Sequence, residues 1–419
     1  MADGNFISAN DARDEAWSLP LDQLNPAQPE LFQANAMWPY FERLRKEAPV
    51  HYTAHSEFGP YWSITKYNDI MAVDTNHQVF SSQGGITIAT APAEIGPLPM
   101  FIAMDPPKHD AQRKTVSPAV APQMLMALEP LIRERAASIL DELPIGVEFD
   151  WVDKVSKELT AMTLATLFDV PQADRRKLTY WSDIATVDVN AGGPINTEEK
   201  RLAILTEALE FFTKLFYERQ AQPQRPDLIS MLAHGEATRD LPTRPQEFLG
   251  NLTLLIVGGN DTTRNSMSGG LWALNKHPDQ YAKLRANPGV IPSMVSEIIR
   301  WQSPIVHMRR TAVADAELGG KQIRRGDKVC MWYISGNRDE DAIDNPNEFI
   351  VDRARPRQHL SFGFGIHRCV GNRLAELQLT ILWEEIMKRF PVIELMGEPK
   401  RIYSNFIHGI AALPVRIPA

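Results

Sequence analysis

Cysteine is the scarcest informative residue in this chain: only Cys330 and Cys369 occur in 419 residues. Two thiols cannot form a disulfide framework, and a reducing compartment such as the cytoplasm is expected. Nor do they make a cysteine cluster of the kind that holds an iron–sulfur centre. No uninterrupted apolar run reaches the roughly eighteen residues of a membrane span. The segment Met1–Asn25 is mixed and acidic, with no apolar stretch of the kind a signal peptide needs. Positive charge is not in excess either: 44 Lys and Arg against 52 Asp and Glu give a net charge of −8. A nucleic-acid partner is therefore not expected, and nor is a membrane. Internal repeats, low-complexity tracts and the glycine fingerprints of flavin or nicotinamide binding are all missing.

What is present is helical periodicity. Apolar residues recur at helix spacing over about Met124–Leu143, Asp153–Phe168, Glu198–Gln220, Pro245–Lys276, Pro292–Trp301 and Asn372–Arg389. The first hundred residues read as irregular and proline-punctuated, with strand-like runs at Val50–Thr53 and Tyr61–Thr65. Further strands are expected at Val329–Tyr333 and Ile407–Ile417. Residues Ser81–Phe101 read as a long loop, of a length that is usually functional or disordered, and Gln220–Arg244, rich in Pro, Gln and Arg, as a connector. The expected fold class is mainly α with small β-sheets, a single large helical domain over residues 1–419, and a monomer.

The most informative segment runs from Phe362 to Gly371 and reads Phe-Gly-Phe-Gly-Ile-His-Arg-Cys-Val-Gly, followed at once by a helix. A cysteine that ligates iron acts as a thiolate, and a helix N-terminus lowers thiol pKa. Glycines at 363, 365 and 371 are expected to let N–H groups approach the Cys369 sulfur. Thiolate ligation then favours O–O cleavage at iron. Cys330 lies in the strand-like Lys328–Trp332 without a glycine loop or following helix, and reads as an inert core residue.

These residues resemble the signature of the cytochrome P450 superfamily, and the likeness extends along the chain. Glu297-Ile-Ile-Arg300 is similar to that family's Glu-x-x-Arg motif, and Arg353 matches its third, structural member. Gly258-Gly259-Asn260-Asp261-Thr262-Thr263 resembles the oxygen-activation motif of its long central helix. Two helical glycines cost about 1 kcal/mol each relative to Ala, which suggests that space has been opened for a ligand. The resemblance implies a hydrogen bond from Thr262 to bound dioxygen and proton delivery through Asp261. It also implies haem b, with Cys369 on the metal and His109, Arg113, Arg310 and His367 at the propionates. Arg309 and Arg310 are adjacent on a strand, so only one can point inward, and the family pattern favours Arg310.

Within the superfamily, residues 258–266 and 362–369 look most like the bacterial soluble alkane and fatty-acid terminal hydroxylases. A group that oxidises steroid side chains has a similar central helix. The implied pocket comprises Ile86, Ile88 and Leu98 on the long loop and Leu254, Leu255, Val257 and Gly258 on the central helix. Ile305, Val306, Phe406 and Ile407 complete it, an apolar set suited to an apolar substrate. Dioxygen is the co-substrate. Electrons must come from outside, and the resemblance implies a 2Fe-2S ferredoxin and its reductase, docking on Arg357, Arg368, Arg373 and Lys114. Two other readings remain: a haem-thiolate protein that does not activate dioxygen, against which the intact Asp261-Thr262 pair argues, and a carrier or sensor, which would need an output domain.

Overall fold

The computed structural model describes residues 8–90 and 96–419. The first seven residues of the N-terminal segment, and residues 91–95 of the long loop, lie outside the described residues. Every long helix read from periodicity is present, with ends shifted by a few residues: Pro122–Asp141, Lys157–Phe168, Glu198–Gln220, Pro245–Lys276, Ile291–Gln302 and Asn372–Arg389. Local chemistry sets several of these ends. Thr197 caps the Glu198–Gln220 helix by accepting from the Lys200 N–H, with two glutamates in the first turn where the helix dipole favours them. Pro245 opens the central helix at a position that has no N–H to lose. Ser303 ends the Glu-x-x-Arg helix in a left-handed conformation at φ 44°.

The first hundred residues are more ordered than expected. They contain helices Ala9–Ser18, Pro29–Gln33, Trp38–Glu47 and Tyr67–Thr75. Their apolar faces build a separate core around Leu31, Phe32, Tyr40 and Phe41, into which Trp332 and Ile88 insert. Prolines at the first turns start two of these helices instead of breaking them. The Gln220–Arg244 connector likewise holds a helix, Leu228–His234, capped by Asp227 through the Ser230 N–H at 2.8 Å. It is too short to show periodicity, and burial of Leu228, Ile229 and Leu232 holds it in place.

One five-stranded sheet carries the order Val50–Thr53, Tyr61–Ile64, Lys328–Met331, Met308–Ala312, Phe80–Ser81. The run Val329–Tyr333 is thus strand only to Met331, and Tyr333–Gly336 turns helical. Ile407–Ile417 divides into Ile410–Ala412 and Pro414–Arg416, which join different small sheets. No helix among the described residues is long and apolar enough to cross a membrane. The central helix crosses the main core, flanked by Lys157–Phe168, Arg175–Thr186 and Ile291–Gln302.

Candidate active site

The loop before Cys369 is held from three sides. The Cys369 N–H donates to the Phe362 carbonyl at 2.8 Å. Ser361 Oγ donates to the Ile299 carbonyl at 2.9 Å, and Asn337 Oδ1 accepts from the Leu360 N–H at 2.6 Å. Asp74, buried in the Tyr67–Thr75 helix, accepts from the Phe364 N–H (2.7 Å), the Tyr333 hydroxyl (2.9 Å) and Arg310 Nη2 (2.8 Å). Sequence reading missed Asp74. The available signal was a lone carboxylate on an otherwise apolar helix face.

Two of the three glycines of this loop, Gly363 and Gly365, have a different use from the expected one, whereas Gly371 brings its N–H to the sulfur as expected. Gly363 and Gly365 adopt φ of 63° and 65°, and a Cβ on Gly365 would lie 2.5 Å from the Asp74 carbonyl oxygen. They let the loop press against the Asp74 helix. The donors that reach the sulfur are the N–H groups of Gly371 and Asn372, at the start of the C-terminal helix. The expected lowering of the thiol pKa is also corrected. Burial pushes the Cys369 thiol up, outweighing those N–H groups and the charges of Arg113 and Arg368. A bound metal cation would add its own charge in favour of the thiolate. Cys330 is fully buried and pushed up to about 12 by burial, an inert thiol as read.

Glu297 and Arg300 are both fully buried and form a bidentate pair, Nε to Oε2 and Nη2 to Oε1, each at 2.8 Å. Arg353 adds Nε to Oε2 at 2.8 Å and Nη2 to Oε1 at 3.1 Å. Burial alone would raise the Glu297 pKa, yet the two guanidiniums hold it below the ordinary value. The triad sits under the segment leading to the thiolate loop, as the Ser361–Ile299 bond shows.

Beside that loop His109, Arg113, Arg310 and His367 come together. The His109 and His367 rings meet edge to face with centroids 4.4 Å apart. His367 is driven down to about 2, first by burial and then by Arg310, His109 and Arg113. His109 Nε2 and both ring nitrogens of His367 are buried without a hydrogen-bond partner. Orphaned buried donors at a cluster of cations are unusual, because each costs roughly 1–3 kcal/mol unpaired. They suit an anionic group carrying carboxylates, and with the half-buried Cys369 alongside, the residues present fit haem. Arg310 is less free than expected: its guanidinium bonds to Asp74 and to the Arg309 carbonyl.

On the central helix, Asp261 and Thr262 face different neighbours. Asp261 is fully buried and turned toward the Arg175–Thr186 helix, accepting from Ser182 Oγ at 3.1 Å and pairing with Arg264 at 2.9 Å. Burial raises its pKa against the pull of Arg264. Thr262 donates to the Gly258 carbonyl at 3.0 Å. The two glycines are not equivalent. A Cβ on Gly258 meets nothing within 4 Å, whereas one on Gly259 would lie 2.6 Å from Leu164 Cδ2. Gly258 leaves open space; Gly259 allows close helix packing. Gly258→Ala is therefore expected to raise thermal stability by up to about 1 kcal/mol while weakening substrate binding. Gly259→Ala should lose up to about 2 kcal/mol as overpacking outweighs helix propensity. Melting curves and substrate titrations of the two variants check this.

The expected pocket residues separate by burial. Ile86, Leu98, Leu254, Leu255, Val257, Ile305 and Phe406 are half-buried, and Gly258 is exposed. Ile88, Val306 and Ile407 are packed into the interior at 1%, 0% and 1% exposure, so their side chains are core. Leu98 packs with Ile184, Leu205 and Leu249. The neighbouring Pro99 carbonyl lies where a Cβ on Gly250 would be, and the Phe101 N–H donates to Asn251 Oδ1 at 2.9 Å. The loop around Leu98 thus rests directly on the central helix, which sequence reading did not foresee.

The comparisons agree with this geometry. A family model described as Cytochrome P450 matches residues 289–417. The linalool 8-monooxygenase of Pseudomonas putida is 37% identical over 397 residues, covering 92% of this chain and 97% of that protein. The methyl-branched lipid omega-hydroxylase of Mycobacterium tuberculosis is 32% identical, covering 90% of each. Among solved structures, CYP153D17 from Sphingomonas sp. PAMC 26605 superimposes with a TM-score of 0.88 at 47% identity, covering 96% of this chain and 100% of that one. Mycobacterium marinum CYP268A2, in complex with pseudoionone, gives 0.85 at 35% identity, covering 95% and 99%. With a half-buried cysteine just before a helix start, the Glu297–Arg300–Arg353 triad and relatives matched over nearly their whole length, the chain belongs to the cytochrome P450 family of haem monooxygenases.

Proposed function

We propose that this P450 hydroxylates the terminal methyl group of a medium-chain alkane or fatty acid. The observation that carries the reading is the run of half-buried apolar side chains, Leu254, Leu255 and Val257, ending at the open position of Gly258. Kinship to an omega-hydroxylase of methyl-branched lipids supports terminal attack. A primary C–H bond is stronger than the secondary one beside it, so orientation along an apolar wall must select the end of the chain. Haem, when bound, supplies the reduction of dioxygen and the oxidation of the C–H bond. Cys369 would hold its metal, and His109, Arg113, Arg310 and His367 would bind its carboxylates. Thr262 and Asp261 manage protons. An acyclic terpenoid is the second reading, favoured by the linalool relative and by the pseudoionone complex of a structural neighbour.

A panel of alkanes, fatty acids, terpenoids and steroids, titrated for the shift to high spin and followed by product analysis, tests the reading. Terminal alcohols from straight chains are expected. Exclusive turnover of a steroid or an aromatic compound would remove it.

Thr262→Ala is expected to uncouple reductant use from hydroxylation, with hydrogen peroxide released as product falls. Asp261→Asn keeps shape but removes the charge opposite Arg264, and total turnover should drop more than coupling. The ratio of product to reductant, measured in both, separates the two roles. An unchanged ratio in Thr262→Ala with normal haem content would leave the hydroxyl only its bond to the Gly258 carbonyl.

In this reading the whole chain, residues 1–419, acts as one haem domain, a monomer in the cytoplasm that takes electrons from a 2Fe-2S ferredoxin and its reductase. Arg357, Arg368, Arg373 and Lys114 are exposed. Arg373 also borders a groove of about 450 Å³ with Leu125, Met126 and Leu377. An acidic partner with an apolar centre suits that surface.

A further inference from the structure

Among the described residues, Asp74 is the carboxylate on which the thiolate loop and the cofactor cluster converge. It is buried and forms an ion pair with the equally buried Arg310. Its Oδ1 accepts from Arg310 Nη2, and its Oδ2 accepts from both the Tyr333 hydroxyl and the Phe364 N–H. Four segments meet at this point: the Tyr67–Thr75 helix, the Met308–Ala312 strand, the Tyr333–Gly336 helix and the loop before Cys369. All three partners are donors. That set fits the ionised form, which accepts on both oxygens, and it offers a carboxyl proton no acceptor. Burial raises the Asp74 pKa, and the charge of Arg310 is the largest influence opposing it.

Stability alone does not account for this pair. A buried ion pair is often no more stable than apolar side chains of similar volume. The loop is also held without it, by Ser361 on the Ile299 carbonyl and by Asn337 on the Leu360 N–H. What Asp74 adds is a fixed charge in a particular place. After burial, Arg310 is the charge that most depresses the His367 pKa, and His77, three residues past Asp74, adds to it. The Tyr67–Thr75 helix therefore ends at the rim of the cofactor cluster. Successive side chains on a strand alternate in direction, and Arg309, on the other face, forms no ion pair among the described residues. The counter-charge is thus confined to the cofactor side of the strand.

We propose that Asp74 is a positioning residue of the cofactor site: it aims Arg310, ties that guanidinium to the thiolate loop, and by its negative charge holds down the reduction potential of the bound haem iron. This rests on the placing of Arg310 at the haem carboxylates. A fixed negative charge disfavours the form that carries one more electron. In a buried site the effect is strong, because the dielectric is low and salt screens it little.

The test is a spectroelectrochemical titration of substrate-free holoprotein, with haem content per chain and denaturant midpoint measured alongside. Asp74→Asn keeps the size and removes the charge. It is expected to favour the reduced form about tenfold, a rise of about 59 mV for a one-electron couple. Arg310→Gln should move the potential the other way, and the two changes together should return it close to wild type. Tyr333→Phe removes a hydrogen bond and no charge, so it should lower the midpoint and leave the potential where it was. Should Asp74→Asn alone give no holoprotein, the double variant set against Arg310→Gln reads the same charge, and the same rise is expected there. An unchanged potential in either comparison overturns the proposal and leaves Asp74 a tether of the loop. A shift in Tyr333→Phe as large as that in Asp74→Asn overturns it too, since packing and not charge would then set the potential. Wild-type haem content and potential in Arg310→Gln would remove the placing of Arg310 at the haem carboxylates, and the proposal with it. A shift in Arg310→Gln with none from Asp74 removes the role of Asp74 alone.

Discussion

Glu297→Ala is expected to yield little folded holoprotein. The carboxylate accepts from Arg300, from Arg353 and from the Ile350 N–H, and neither it nor Arg300 is exposed at all. Removing it strands two buried guanidiniums and a backbone donor. Breaking a buried ion pair from one side costs about 3–5 kcal/mol, a large share of a usual stability margin of about 5–15 kcal/mol. Soluble yield, haem content and denaturant midpoint measure the loss, and normal values for all three would show the triad to be dispensable. Acid should act in the same direction. The folded pKa of Glu297 lies below its ordinary value of 4.5, so its stabilisation is present above that value and is lost as pH falls through the folded pKa.

Cys369→Ala should abolish the thiolate-type Soret band of the reduced carbonyl complex completely, and Cys330→Ala should leave it unchanged. Only the first thiol lies at the end of the tethered glycine loop with the Gly371 and Asn372 N–H groups on its sulfur. The second is enclosed in the N-terminal core beside Trp332 and Ile88. A Cys330→Ala variant can lose some stability through the small cavity it leaves, so spectra are compared per haem. Persistence of the thiolate band in Cys369→Ala would end the assignment of the metal ligand.

Much of this was legible in the sequence because the relevant signals are local. The thiolate loop, the Glu297–Arg300 spacing and the 32-residue central helix each declare themselves within one stretch of chain. The central helix was read to the residue, since Pro245 marks its start and amphipathic spacing continues to Lys276. Arg353 joining Glu297 across 56 residues was reachable only through the family resemblance. What stayed hidden depends on tertiary partners. Asp74 gains its meaning from Arg310, Tyr333 and Phe364, residues between 236 and 290 positions away. The short N-terminal helices and Leu228–His234 lack the length for periodicity and form because neighbours bury them. The difference between Gly258 and Gly259 is invisible without Leu164 opposite. Which of Arg309 and Arg310 has a counter-charge is equally a matter of what faces each side of the sheet.

The seating of Pro99 and Phe101 on the central helix ties two parts of the candidate site together. The Pro99 carbonyl occupies the room a side chain at Gly250 would take, and Asn251 holds the Phe101 N–H while its own amide donates to Gln112 on the His109 helix. Lifting this segment exposes a buried amide pair and so carries a free-energy cost of about 1–3 kcal/mol. The seated position of Pro99 and Phe101 is therefore the favoured one. These contacts lie on the helix that also bears Thr262, so the wall around Leu98 and the Thr262 hydroxyl share one support.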